Sequence, residues 1–179
     1  MPSIIIALLL VTLGSVARLL PHMVNVAPIT AIGLFAGIYL PRRYAIIAPL
    51  LAMLVSDFAI GFYDPRIMLS VYVSFAIAGA IGILVGRKKT WTTVAIGTLG
   101  ASFVFFLITN AAVWYFGTMY SHDIVGLWRS YTMALPFFRN SLIGDISYTF
   151  LLVGGMEFIT NYLRQQKQSP FQLNKTCRQ

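Results

Sequence analysis

The sequence predicts an all-α fold: an integral membrane bundle of six transmembrane helices. Three observations predict it. Of the 179 residues, 58% are hydrophobic and only 10% charged, against about 25% charged in an ordinary soluble domain. The apolar runs approach or exceed the roughly 18 residues that mark a membrane helix, and mean hydropathy is +0.79. The basic residues fall in short clusters between those runs, the pattern of anchored membrane loops. The net charge of +8 therefore points to membrane lipids as partners and not to nucleic acid.

The first run is 4–20. It has features of a secretory signal, since Ser15-Val16-Ala17 resembles a small-residue cleavage site. No Lys or Arg precedes it, so it is read as a retained helix. The second run, 24–40, is short and interrupted by Asn25 and Pro28. The third is 44–62 and the fourth 67–85. The fifth, Trp91–Phe116, is long enough to tilt. The sixth is 140–163. A domain of residues 1–164 is followed by a polar cytoplasmic tail, 165–179, expected to be flexible unless a partner holds it. The single cysteine, Cys177, lies in that tail and can form no internal disulfide.

Orientation follows from counting Lys and Arg. With the N-terminus inside, the inner loops and tail hold nine: Arg42, Arg43, Arg87, Lys88, Lys89, Arg164, Lys167, Lys175 and Arg178. The outer side holds four: Arg18, Arg66, Arg129 and Arg139. This asymmetry predicts both termini in the cytoplasm of a cell (inner) membrane protein.

The segment 117–139 reads as a long outer loop rich in aromatic residues. It includes His122, Asp123, Trp128, Arg129, Tyr131 and Pro136. A loop of this length is either a lid over a binding site or an aromatic belt at the headgroups. Pro136 disfavours helix at Leu135.

With orientation set, each polar residue acquires a depth. Arg18, His22, Asn25, Thr30, Asp57, Arg66, Asn110, Arg129, Arg139 and Asp145 all fall in the outer half. The inner half has Glu157, with Asn161 and Arg164 at helical spacing on one face. Ionisable groups in hydrocarbon cost several kcal/mol unless paired or hydrated. The arrangement of least cost gathers the outer set around one cavity. The expected ligand site is Arg18, Asn25, Asp57, Asn110, Trp114, Trp128, Arg129 and Asp145, with an arginine beside the acidic residues. Structural roles stand beside this reading. Asp57 could simply pair with an arginine. Asp145 near a helix N-terminus is favoured by the dipole alone, and Asn110 could bridge helices by a hydrogen bond.

Chemistry beyond binding finds no support. There is no G-x-x-x-x-G-K-[ST] phosphate loop, no H-E-x-x-H, no paired cysteine set and no G-x-S-x-G. No cofactor, no metal and no catalysis are expected, although Ser102 and Ser147 are available hydroxyls. Small residues at spacing four, Ala76 with Ala80, Gly82 with Gly86 and Gly97 with Ala101, predict close helix packing.

The stretches "NVAPITAIGLFAGIYLP", "VSDFAIGFY", "FFLITNAAVWYF" and "LPFFRNSLIGD" together resemble an uncharacterised family of small bacterial and archaeal membrane proteins. That family is similar in size and helix count to the substrate-binding S components of energy-coupling-factor vitamin transporters. The resemblance implies uptake of a small vitamin-like molecule bound at the outer face. Energy would come from a transmembrane coupling subunit and two ATPases. Docking to that coupler is implied through small residues on the first helix, where Ser3, Ala7, Val11 and Gly14 depart from a double A-x-x-x-A pattern. The alternative reading is an accessory or structural subunit of a larger membrane complex.

Overall fold

The computed structural model describes residues 2–20 and 28–176, with side chains at 3–20 and 28–166. His22, Asn25 and Cys177 lie outside the described residues. The described chain is helical throughout: α1 (Pro2–Leu19), α2 (Ile29–Tyr39), α3 (Arg42–Ile60), α4 (Pro65–Arg87), α5 (Trp91–Phe116) and α6 (Ile124–Thr176). Four of them, α3 to α6, are long and apolar enough to cross a membrane.

The helices begin and end where local chemistry dictates. Asp64 caps α4, its carboxylate accepting from the Arg66 and Ile67 amides, and Pro65 occupies the first turn where no amide bond is needed. Thr90 and Thr93 form a reciprocal capping box at α5. α3 ends at Gly61, whose φ of 109° only glycine adopts without strain.

α2 is the axis of the bundle and contacts all five other helices. It has no charged residue, and Ile29 through Ala36 are buried in an unbroken run, as expected of a helix apolar all round. At 11 residues it is only about 16 Å long, roughly half the hydrocarbon thickness of a bilayer. Its closest neighbour is α4. A Cβ added at Gly82 would lie 2.6 Å from the Leu34 carbonyl oxygen, and one at Gly37 2.6 Å from Ile83 N. Glycine alone permits this backbone-to-backbone approach. Gly82 and Gly86 thus pack as their spacing predicts, while Gly33, Gly37 and Gly79 complete a surface the spacing argument overlooked. Ala80 is exposed.

The outer surface is as apolar as the inside. Ile5, Leu9, Phe58, Leu69, Ile96 and Leu151 are each at least half exposed. Such a continuous apolar surface is a liability in water and an ordinary one in lipid.

The largest departure from the sequence reading is α6. The expected outer loop, 117–139, is a loop only over residues 117–123; helix begins at Ile124 and runs through Pro136. Proline costs one amide bond and crowds the preceding turn, a loss a helix packed along α5 absorbs. The N-terminal turns of α6 lie antiparallel on the last turns of α5. Ser130 Oγ donates to the Asn110 carbonyl at 3.0 Å, and the Tyr131 hydroxyl to the Leu107 carbonyl at 3.0 Å. At its other end α6 passes residue 164 without a break and continues to Thr176.

Candidate functional site

The Arg18 end of the bundle holds a cavity of about 230 Å³. Its polar lining comes from four places: Arg18 of α1, Thr30 at the start of α2, Tyr63 of the α3–α4 link, and Ser141 with Asp145 of α6. Apolar walls come from Ile29, Met53, Val71, Phe75 and Phe105. Phe75 and Phe105 lie against each other, ring centroids 4.9 Å apart.

On one side of the cavity, Arg18 reaches α3 through Nη1. Its Nη1 donates to Asp57 Oδ1 at 2.7 Å, to Ser56 Oγ, and to the Met53 carbonyl at 3.3 Å. Asp57 is 1% exposed and accepts a second bond on Oδ2 from the Tyr72 hydroxyl at 2.8 Å. The guanidinium and carboxylate neutralise each other, the carboxylate buried and the guanidinium partly exposed at the cavity wall, and Tyr72 satisfies the remaining oxygen. One turn earlier on α1, Ser15 donates to the Ala52 carbonyl, fixing α1 on α3. Tyr63 stands at the rim. Burial raises its phenol above the ordinary value of 10.0, the Asp57 charge adds to this and the Arg18 charge opposes it.

On the other side, Asp145 projects from α6 and is 4% exposed. Ser102 of α5 donates to its Oδ2 at 2.7 Å, and the Thr30 side chain hydrogen-bonds it from α2. Ser102 sits one turn beyond Thr98 on the same face of α5, and the Thr98 hydroxyl donates to the Val94 carbonyl of its own helix. Among the described residues, both donors to Asp145 are neutral. Among the described residues the ion pairs are Arg18–Asp57 and Lys89–Glu157, and Asp145 belongs to neither.

Of the eight residues expected at one site, the structure brings Arg18, Asp57 and Asp145 together around this cavity, with Asp57 just behind Arg18. Asn110 is not among them. Its amide Nδ2 donates to the Phe106 carbonyl of its own helix at 2.8 Å, and it lines a second hollow of about 210 Å³ with Thr109, Phe137 and Phe138. That hollow shares only Phe105 and Ser141 with the first. Trp114 is farther out still: its indole donates to the Ser121 carbonyl at 2.9 Å and closes the 117–123 loop. Trp128 is 71% exposed, Arg129 is exposed too, and both stand on α6 away from the cavity. They form no lid, because the segment that carries them is helix docked along α5. Arg139 is exposed as well, while Arg66 lies over the Phe116 ring, 5.6 Å from its centroid.

A family profile matches residues 1–169, nearly the whole chain. The chain belongs to DUF6580, a family of unknown function. No curated protein and no solved structure matches it. For a DUF6580 member the cavity chemistry must therefore be read from the residues themselves.

The reading of the sequence missed several of them. Thr30 was placed at the outer start of α2 but not at the site. Ser102 carried a signal, its i+4 spacing from Thr98. Tyr63, Tyr72, Ser56 and Ser141 carried none that separates them from ordinary interfacial hydroxyls. At the opposite end of the bundle, Glu157 accepts from the Tyr39 hydroxyl and from Lys89 Nζ, and Lys89 also lies 4.5 Å from the Tyr39 ring centroid. The residues spaced along α6, Asn161 and Arg164, are not its hydrogen-bond partners.

Proposed function

We propose that the protein is a substrate-binding membrane protein that takes a small, vitamin-like solute into the cavity between Arg18 and Asp145. The observation that carries this reading is the cavity itself: a pocket lined by Arg18, Thr30, Tyr63, Ser141 and Asp145 among apolar walls, with Asp57 just behind Arg18. Charged groups inside a membrane bundle are costly and are kept where they handle solutes or ions. At about 230 Å³ the space lies below the roughly 300–1,000 Å³ of pockets for drug-sized ligands. The solute is therefore small.

In this reading the helices make six crossings, with both termini in the cytoplasm and the cavity opening outward. Supporting that orientation, Arg42, Arg43, Arg87, Lys88 and Lys89 all lie at the end of the bundle opposite the cavity. The chain carries no phosphate loop, so energy for uptake comes from separate subunits: a membrane coupling protein and its ATPases.

Equilibrium binding of small vitamins and related solutes to the purified, folded protein tests the reading. Saturable binding of one of them supports it; a folded protein that binds none overturns it.

One feature favours a second reading, an accessory subunit of a larger complex. Beyond Glu157, α6 carries Phe158, Ile159, Tyr162 and Leu163, all more than half exposed. Purification in mild detergent separates the two readings, since a structural subunit leaves the membrane with its complex.

A further inference from the structure

Charge accounting at the cavity narrows the solute. The inference rests on the cavity being a binding site, as proposed above. Arg18 and Asp57 are joined at 2.7 Å and contribute no net charge. Asp145 has no such partner among the described residues. Around it stand two hydroxyl donors, Ser102 and Thr30, and the N-terminal turn of α2. That turn offers a fraction of a positive charge and is without a side-chain cap. Hydroxyls and a helix end stabilise an ionised carboxylate; they do not supply a whole counter-charge. A carboxylate 4% exposed with no cation in a low-dielectric interior costs several kcal/mol, and the cavity is the open space beside it.

We infer that the occupant of the cavity is a small organic cation, a protonated amine on a compact apolar or aromatic body, with Asp145 as its counter-ion. The remaining walls fit that chemistry. Phe75, Phe105 and Tyr63 offer ring faces, which attract an ammonium and pack against an apolar body. Ile29, Val71 and Met53 are aliphatic or soft. A hydrated inorganic ion gains nothing from such walls, and an anionic solute meets Asp145 with no cation left to offset it.

The test uses the full chain in lipid nanodiscs and three matched probes: 2-phenylethylammonium, 3-phenylpropanamide and 3-phenylpropanoate. Binding is measured by calorimetry, with Asp145→Asn as the background for partitioning into lipid. A charge-assisted hydrogen bond predicts that the ammonium binds about 10- to 100-fold more tightly than the amide. It also predicts that the advantage disappears in Asp145→Asn. Should that variant fail to fold, the three probes on the wild-type chain decide alone. Equal binding of ammonium and amide overturns the inference and identifies Asp145 as carrying a proton instead. Preference for the carboxylate also overturns it. Either result leaves the cavity standing as a binding site, whereas no binding by any probe at millimolar concentration overturns both readings.

Discussion

The carbonyl oxygen of Ala45 lies against Gly79: a Cβ built on Gly79 would be 2.1 Å from that oxygen. Pro49, inside α3 and four residues beyond Ala45, has no amide to offer that carbonyl. The oxygen fits only because α4 presents a residue with no side chain.

Gly79→Ala is therefore expected to destabilise the protein by about 1–3 kcal/mol, as overpacking of a tight interface does. Gly100→Ala and Gly155→Ala are the controls, since a Cβ there meets nothing within 4 Å. These should be neutral or gain up to about 1 kcal/mol from helix propensity. Thermal unfolding in detergent reads all three. A Gly79→Ala protein as stable as the controls would contradict the close approach.

Breaking the Arg18–Asp57 pair singly leaves one buried charge behind. Arg18→Met or Asp57→Leu should each cost about 3–5 kcal/mol. The double substitution should recover most of that loss. A double variant no more stable than either single one would show that an unpaired charge is not what makes the single changes costly.

Asp123 stands at the start of α6, where its Oδ1 accepts from the Gly126 amide at 2.6 Å and from Ser121 Oγ at 2.8 Å. The Gly126 bond, then the Ser121 bond, hold its carboxyl below the ordinary 3.8. A lowered native value means the cap is fully present above 3.8 and is lost as pH falls through the native value. Asp123→Ala should fray the first turns of α6 at neutral pH. Acidification of the wild-type chain should produce the same fraying. Faster amide exchange over residues 124–130 is the readout; unchanged exchange in the variant would remove the capping role.

Trp128→Ala with Arg129→Ala is expected to leave ligand binding within about twofold of wild type, because surface changes away from the site are worth only a few tenths of a kcal/mol. Calorimetry with the ammonium probe measures it. A tenfold loss would return these residues to the site.

Orientation is open to direct measurement. A reporter that acts only in the cytoplasm, fused after residue 179, should be active, and a second placed at residue 120 should be silent. The reverse result would put the cavity on the cytoplasmic side.

How much of this the sequence foretold depends on the kind of signal. α3 and α4 were legible to within two residues at each end and α5 to the residue, because charges, prolines and glycines bracket their apolar runs. That Asp57 could pair with an arginine was legible because a charge in hydrocarbon needs a partner; which arginine was not. α6 was not: Pro136 and the density of polar residues from Ser121 to Arg129 read as loop, and only packing along α5 makes that stretch helix. Asn110 misled for a related reason. An amide in an apolar run signals a need for a hydrogen bond, and its own helix backbone met that need. Gly33 and Gly79 were silent because an absent side chain shows its purpose only when the neighbouring backbone is in place.

The glycine contact between α2 and α4 has a mechanical consequence. Two helices that touch backbone to backbone have no side-chain layer over which to slide, and α2 is gripped on every side. The pair is the stator of the molecule. Access to the cavity must then come from the parts held by side chains alone: α1, tied to α3 through Ser15 and Arg18, and the Tyr63 link at the rim. Amide exchange should be slowest along α2 and the facing stretch of α4, and the gate should be found in α1.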